Sequence, residues 1–211
     1  MSLLVGLAGV AGSGKDFTFA LIKSLFPTAK RISFSAPLKS ILVAADPYIG
    51  PRERLSHALL GATGFEEVKN GNIEVRRLLQ HLGTDGIRTH LGEDVFVRAA
   101  MNKVDPAALN VFTDVRFGNE SDAIRASGGV VVKIERPGGR RVAGEHVSEQ
   151  LVRTLSHDFV FVNDAEGSHV AELEKFIRAY MRLRASDRPD GTTASRDAPI
   201  LSRLSRDYNL R

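Results

Sequence analysis

Residues 3–23 read LLVGLAGVAGSGKDFTFALIK. It opens with a short apolar run at residues 3–8, which meets a cluster of glycines. Apolar side chains then recur at Phe17, Ala20, Leu21 and Leu25, which is the spacing of one helix face. The predicted order is therefore a buried strand, a glycine-rich loop and a helix.

Four further apolar runs read as strands, and helical patterns separate them. The strand candidates are residues 31–34 (RISF), 108–114 (ALNVFTD), 130–135 (VVVKIE) and 158–163 (DFVFVN). The helical patterns include residues 74–82, 94–104, 119–129, 148–155 and 168–183. Strands that alternate with helices predict an α/β fold with a five-stranded, mostly parallel sheet and helices on both faces.

The chain divides into one domain and a tail. Residues 1–184 carry the alternating pattern, which a less regular segment interrupts from about 41 to 105. Pro47, Pro51 and several glycines mark that segment as an insertion of helices and loops. Residues 185–211 are polar, rich in Pro and Gly at first and basic at the end, and we expect a flexible tail there.

Composition narrows the class of protein. The 211 residues suit one domain with small insertions, and the absence of cysteine excludes disulfides, zinc–thiolate sites and a cysteine nucleophile. The N-terminus has no basic leader and no apolar run approaches the ~20 residues of a membrane helix, so we expect a cytosolic protein. A net charge of +4 with scattered arginines suits an anionic substrate and argues against a nucleic-acid binder.

The glycine cluster is a candidate phosphate site. The residues from Gly9 to Lys15 match G-x-x-x-x-G-K, between an apolar strand and a helix. There the backbone N–H groups of Gly12, Ser13 and Gly14 can surround a phosphate, and Lys15 can bridge β- and γ-phosphates. The alternative is a glycine-rich turn that binds nothing, and the strand–loop–helix context favours the phosphate site.

One residue departs from the usual motif. Asp16 stands where Ser or Thr ordinarily supplies a hydroxyl to Mg²⁺. Its carboxylate either favours the helix N-terminus through the helix dipole or binds Mg²⁺, directly or through water. A carboxylate beside phosphates is repulsive unless a cation lies between them, which favours the metal role. Thr18 offers a hydroxyl too, but two residues too late.

Further segments carry a resemblance to a known family. They are residues 34–40 (FSAPLKS), 76–88 (RRLLQHLGTDGIR), 111–120 (VFTDVRFGNE) and 146–149 (HVSE). Together with GSGKD, in this order, they resemble the bacteriophage-type deoxynucleoside monophosphate kinases, a branch of the nucleoside monophosphate kinase-like P-loop proteins. The resemblance spans roughly residues 3–180.

The resemblance implies transfer of the ATP γ-phosphate to a deoxynucleoside monophosphate (dNMP), with Mg²⁺, in the cytoplasm, which is the host's if the gene is phage-encoded. It also implies that the insertion binds the acceptor and that residues of about 136–150 form a lid; a homodimer is left open. Two other functions stay open: a P-loop kinase for another small acceptor, such as dephospho-coenzyme A, and a nucleic-acid-associated ATPase, which only the basic tail supports.

On the donor side, Asp114 ends a buried strand and could orient the Mg²⁺ shell beside the nucleotide, although a strand-end Asp can also cap the next turn. Asp16 is the second predicted metal ligand. Phe17 stands beside the phosphate loop where the family commonly has Thr. Asn163 follows the last strand, where kinases of this class often contact the adenine of ATP.

On the acceptor side, Arg116 and Arg88 are the predicted ligands of the α-phosphate, because arginine can grip a phosphate with two hydrogen bonds. Arg76 matches the family arginine, and Gln80 lies one helical turn beyond it, where its amide could read the base; the alternative is a helix-surface Gln. Lys39 matches a family lysine that helps bind the acceptor.

The predicted lid carries three arginines, Arg136, Arg140 and Arg141, around Gly138 and Gly139, and the first two are the predicted catalytic cations. Cations on a glycine-hinged loop suit a closing segment that excludes water and neutralises the transferring charge. The alternative is a basic surface turn.

Overall fold

The computed structural model describes residues 2–138, 147–164 and 168–186. Five strands form one sheet in the order β2-β3-β1-β4-β5. The strands are β1 (Leu3–Ala8), β2 (Lys30–Ile32), β3 (Leu109–Val115), β4 (Val130–Glu135) and β5 (Phe159–Val162). Every neighbouring pair is parallel, so the predicted five-stranded α/β sheet is confirmed and is entirely parallel.

Helices connect the strands. They are α1 (Lys15–Leu25), α2 (Ala36–Ala45), α3 (Leu55–Leu60), α4 (Phe65–Gly71), α5 (Ile73–Gln80), α6 (Thr89–Leu91), α7 (Val95–Met101), α8 (Gly118–Ala126), α9 (Val147–Thr154) and α10 (Ser168–Ser186). A π-helical segment, His81–Arg88, joins α5 to α6. None of the helices in the described part of the chain is long and apolar enough to cross a bilayer.

The chain forms two compact units. The sheet unit comprises Met1–Ser33 and Lys103–Arg211, and the inserted unit comprises Phe34–Asn102. Elements α2 to α7 and the π-helical segment all belong to the inserted unit. That this segment binds the acceptor stays a prediction.

Apolar side chains bury both faces of the sheet. On one face, α1 and α10 cover the strands with fully or nearly fully buried residues, among them Ile22 and Phe176. The Phe176 ring meets the ring of Phe159 edge-on, with centroids 4.4 Å apart. On the other face α8 lies so close to β1 that a Cβ on Gly6 would be 2.8 Å from Cδ1 of Ile124. These contacts fix the position of β1 in the centre of the sheet.

The inserted unit has its own apolar cluster. Its buried members are Leu42, Ile49, Leu55, Val68 and Val75. The π-helical segment packs against α2, and a Cβ on Gly83 would be 2.8 Å from Cδ2 of Leu38. Glycine at position 83 therefore allows the π-helical segment to pack closely on α2.

Two predicted segments fall partly outside the described residues. Within the predicted lid this applies to residues 139–146, which include Arg140, and within the predicted tail to residues 187–211. Arg136 is described and is exposed directly after β4.

Candidate active site

The loop between β1 and α1 has the backbone that a phosphate cradle requires. Gly12 and Gly14 have φ angles of +77° and +98°, in a region that side chains with a Cβ rarely adopt. Gly14 immediately precedes α1, so the N–H groups of the first helical turn follow directly on the loop. Amides at this point have no partners within the helix, which makes them donors for an anion.

Lys15 is folded back over the loop. Its Nζ donates hydrogen bonds to the carbonyl oxygens of Gly9, at 2.6 Å, and Val10, at 2.9 Å. Two hydrogen bonds of the ammonium group therefore go to peptide carbonyls of the loop itself. Phosphate oxygens are stronger acceptors for such a group than peptide carbonyls, so an incoming phosphate can compete for it.

The end of β5 supports the loop from beneath. Asn163 is only 7% exposed, and its Nδ2 donates to the carbonyl of Ser13 at 3.2 Å. The backbone N–H of Asn163 bonds to the carbonyl of Glu135 at 2.6 Å, which fixes it at the strand end. The side chain of Ser13 is buried, and its Oγ has no hydrogen-bond partner among the described residues.

Asp16 lies in the first turn of α1 and is paired with an arginine. Its Oδ1 accepts a hydrogen bond from the guanidinium of Arg31 in β2, and its side chain is 80% exposed. The same guanidinium donates from Nε to Oγ1 of Thr113 at 3.0 Å and lies over the ring of Phe19, 5.5 Å from its centroid. Arg31 is thus held by three contacts.

Asp114, in β3, accepts a hydrogen bond of 2.7 Å at Oδ2 from the hydroxyl of Ser33. Its carboxylate is partly buried. The alternative hydroxyl, that of Thr18, is fully buried and donates to the carbonyl of Gly14 at 3.0 Å. The Thr18 hydroxyl therefore closes the first turn of the helix rather than facing the loop.

Arg116 follows β3 and is partly buried. Its backbone N–H and that of Phe117 donate to Oε2 of Glu120, at 2.8 and 3.2 Å. Glu120 is almost fully buried in the first turn of α8, so its carboxylate fixes the turn on which Arg116 lies.

The predicted acceptor residues outside this turn lie in the inserted unit. Lys39 and Lys69 both bond to the carboxylate of Glu66. Burial opposes the ionisation of Glu66, but the hydrogen bonds and charges of the two lysines outweigh it and lower its pKa from 4.5 to about 2. Lys39 also lies 5.9 Å from the ring centroid of Phe65.

Arg76 and Gln80 are exposed on α5. Arg76 donates to the carbonyl of Lys69, at 3.1 Å, and to Oδ1 of Asn70, at 3.0 Å. Arg88, at the end of the π-helical segment, donates to the carbonyl of Glu93 at 3.0 Å and lies over Phe96, 5.3 Å from the ring centroid.

Because all five strands are parallel, their carboxyl ends lie at one edge of the sheet, where α/β proteins bind ligands. The phosphate loop follows β1 there, Asp114 and Arg116 lie at the end of β3, and Arg136 and Asn163 follow β4 and β5. Phe17 is exposed on α1, whereas Lys39, Arg76, Gln80 and Arg88 belong to the other unit.

Sequence reasoning missed three residues at this edge: Arg31, Ser33 and Glu120. Arg31 and Ser33 alternate at the end of a predicted strand, which puts them on the same side. That alternation was the available signal, but it does not reveal which carboxylates they meet. Glu120 lies three residues after Phe117, the spacing of a capping box.

A glycine-rich loop that joins the central strand of a parallel sheet to a helix, with lysine as the first helical residue, defines a P-loop nucleotide-binding protein. Residues 59–176 match the model of the deoxynucleotide monophosphate kinase family. A protein of Acanthamoeba polyphaga mimivirus, described as "Putative deoxynucleotide monophosphate kinase", is 31% identical over 187 residues, which cover 77% of this chain and 89% of that protein.

The chain therefore belongs to the deoxynucleotide monophosphate kinase family, which makes it a phosphotransferase that uses ATP. Among solved structures, that of TT1252 from Thermus thermophilus is similar at a TM-score of 0.46 and 17% identity, over 88% of this chain and 98% of that one.

Proposed function

We propose that the protein transfers the γ-phosphate of ATP to a dNMP, giving the diphosphate and ADP, and that the transfer requires Mg²⁺. The observation that carries the proposal is the phosphate loop with Lys15 folded over it, in a chain of this kinase family. Phosphoryl transfer needs little covalent chemistry from the protein. Its main requirements are positioned phosphates and positive charge around them.

Lys15 is the proposed catalytic cation. When ATP enters, its Nζ exchanges the carbonyls of Gly9 and Val10 for phosphate oxygens. Gly12, Ser13 and Gly14 contribute backbone amides, and Phe17 and Asn163 are the further proposed contacts of the nucleotide.

Asp16 and Asp114 are the residues that would hold Mg²⁺. Both offer carboxylate oxygens, the ligands that this cation prefers, and the described residues contain no group of three or more His, Cys, Asp or Glu that could form an all-protein cage. That inventory fits an ion held by one or two carboxylates, phosphates and water. When bound, Mg²⁺ neutralises charge on the β- and γ-phosphates.

Arginines would bind the acceptor and the transferring group. We propose Arg116 and Arg88 as ligands of the acceptor α-phosphate. A hydrogen bond to Glu120 fixes the backbone at Arg116. The backbone therefore needs no rearrangement when a ligand binds to the Arg116 guanidinium. Arg136 and Arg140 are the proposed lid cations, which neutralise the negative charge of the phosphoryl group during its transfer.

Lys39, Arg76 and Gln80 complete the proposed acceptor contacts, and Gln80 would read the base edge. Asp114 is included here too, because a strand-end carboxylate next to Arg116 can orient that arginine. Each of these assignments can be checked by the effect of an alanine substitution on the KM for the acceptor against the KM for ATP.

The test is a panel of acceptors. The purified protein is incubated with ATP, a Mg²⁺ series and each of the four dNMPs, with the matching ribonucleotides and dephospho-coenzyme A alongside. ADP and a deoxynucleoside diphosphate are expected only with Mg²⁺ present. Turnover of dephospho-coenzyme A alone, or of no acceptor, would overturn the proposal.

Two lysines on the same helix supply a matched comparison. Lys15 and Lys23 each donate from Nζ to two backbone carbonyls, but Lys23 does so at the far end of α1, to Pro27 and Ala29. We expect Lys15→Ala to lower turnover at least about 100-fold with the fold retained, since it removes a transition-state cation. Lys23→Ala should remain active.

A further inference from the structure

The end of β2 supports both carboxylates that lie beside the phosphate loop. Arg31, within β2, pairs with Asp16, and Ser33, one residue past β2, donates to Asp114. Neither Arg31 nor Ser33 lies in the phosphate loop. The edge strand of the sheet therefore supplies a supporting layer for the site, and its charged member is Arg31.

Asp16 creates an electrostatic difficulty for a phosphate loop. It follows Lys15 directly, at the position where the general phosphate-loop motif has a neutral Ser or Thr hydroxyl, and its carboxylate is largely exposed. A phosphate group that enters the loop meets this negative charge at short range. A cation must offset this repulsion. Mg²⁺ is one candidate, but it has to arrive together with the nucleotide.

A second cation is already in place. The guanidinium of Arg31 bonds to Asp16, and two additional contacts hold it there: Nε donates to Thr113, which is buried in β3, and Cζ lies over the ring of Phe19. An exposed ion pair alone is worth little, because ordering two long side chains opposes it. Here the arginine is ordered by residues other than its ionic partner.

We propose that Arg31 is a positioning residue that acts as a permanent counter-ion of Asp16, present before a nucleotide or a metal ion binds. It holds the carboxylate in place and offsets its charge, so that a nucleotide's phosphates can enter the loop without waiting for a metal ion. The proposal rests on the proposed function only in requiring that a nucleotide binds at this loop. It assigns Arg31 no contact with the nucleotide, and its effect passes through Asp16.

The role predicts an energetic coupling that binding measurements can detect. The probe is ADP in the presence of EDTA, which cannot turn over and carries no metal, and affinity is measured by calorimetry for the wild type, Arg31→Ala, Asp16→Asn and the double variant. Arg31→Ala should weaken binding about 10-fold, because it leaves the Asp16 charge uncompensated. In the Asp16→Asn background the same change should cost about 2-fold or less.

An equal loss in both backgrounds would overturn the proposal, because it would place Arg31 in direct contact with the nucleotide or in a purely structural role. Arg31→Lys keeps the charge without the planar fork, so it should lose less affinity than Arg31→Ala. Identical losses in these two variants would also contradict a counter-ion role.

Lys30 provides the matched control for net charge. It neighbours Arg31 on β2 and pairs with Asp105, at 2.5 Å. Lys30→Ala removes one positive charge from the same strand and should leave the affinity for metal-free ADP within about 2-fold; a loss as large as that of Arg31→Ala would contradict the proposal. Thermal unfolding of each variant verifies that it is folded.

The outcome is separable from that of the kinase assay. If ADP binding shows the coupling but no dNMP is phosphorylated, the proposed function fails and the role of Arg31 stands. If the wild type phosphorylates a dNMP but the Arg31 and Asp16 substitutions have additive effects on the binding free energy, the role of Arg31 fails and the function stands.

Discussion

The side-chain amide of Asn163 donates a hydrogen bond to the carbonyl of Ser13, a residue 150 positions earlier in the chain. The bond joins the end of β5 to the middle of the phosphate loop. Asn163 also lies where a side chain on Gly14 would have to be, since a Cβ there would be 2.0 Å from Nδ2. The amide therefore supports the loop from beneath, in addition to the nucleotide contact proposed for this residue.

We expect Asn163→Ala to weaken ATP binding about 10-fold and to lower the free energy of unfolding by about 1–3 kcal/mol, because it leaves the buried Ser13 carbonyl without this donor. Calorimetry and chemical denaturation measure the two effects. The neighbouring exposed residue offers a control, and Val162→Ala should change neither quantity appreciably. Unchanged ATP affinity in Asn163→Ala would show that the loop holds its shape unaided.

Gly14→Ala should be more damaging than Gly12→Ala. Both positions have positive φ, which costs a residue with a Cβ about 1–2 kcal/mol, but a Cβ on Gly12 would have no atom within 4 Å, whereas one on Gly14 would strike Asn163. In an Asn163→Ala background the nearest remaining contact of that Cβ would be at 3.9 Å, so the penalty of Gly14→Ala should fall to that of Gly12→Ala. Thermal unfolding of the four variants tests this, and additive penalties would contradict it.

Tyr180→Phe should destabilise the protein by about 1–3 kcal/mol without altering ATP affinity. The Tyr180 hydroxyl accepts a hydrogen bond from the backbone N–H of Leu4, at 3.2 Å, and donates to the carbonyl of Gly128, at 3.1 Å. Burial raises the pKa of this phenol, so it stays protonated in any ordinary buffer. Tyr48→Phe, at an exposed position, should cost about 0.5 kcal/mol or less in the same denaturation experiment.

The Glu66 carboxylate should make the inserted unit sensitive to acid. Its pKa is lowered in the folded state, from 4.5 to about 2, so ionised Glu66 stabilises the fold above pH 4.5, and this contribution is lost as the pH falls towards about 2. With the side chain 55% exposed, we expect less than about 1 kcal/mol.

Titration of the difference in unfolding free energy between the wild type and Glu66→Gln measures this contribution. The difference should be constant near neutral pH and shrink below pH 4.5. Lys69→Ala removes one of the two cations and should raise the pKa of Glu66; a titration that Lys69→Ala leaves unchanged would place the cause elsewhere.

The strand positions could be predicted because each buried parallel strand is a short, nearly continuous apolar run. VVVKIE corresponds to β4 without adjustment. The run RISF differs: β2 ends at Ile32, and Ser33 turns its hydroxyl to Asp114 instead of continuing the ladder. The helical pattern that begins at Glu74 also continues further than expected, because Gly83 lets the π-helical segment pack closely on Leu38.

The phosphate loop could be recognised from sequence because all its parts are local: a strand, glycines and Lys15 within one short stretch. The contacts of Arg31 with Asp16 and of Asn163 with Ser13 could not, since they join residues that only the strand order brings together. The residues that neighbour a given position in sequence do not indicate which strand end lies beside that position in the fold.

The central place of β1 has a consequence for the protein during its synthesis. Both strands that pair with β1 follow the inserted unit in the chain, and Tyr180, which binds Leu4, follows later still. The first strand therefore leaves the ribosome as an apolar ribbon with two open edges, whereas residues 34–102 carry the partners of their own cluster with them. Until β3 and β4 have been synthesised, β1 therefore needs protection from neighbouring polypeptides.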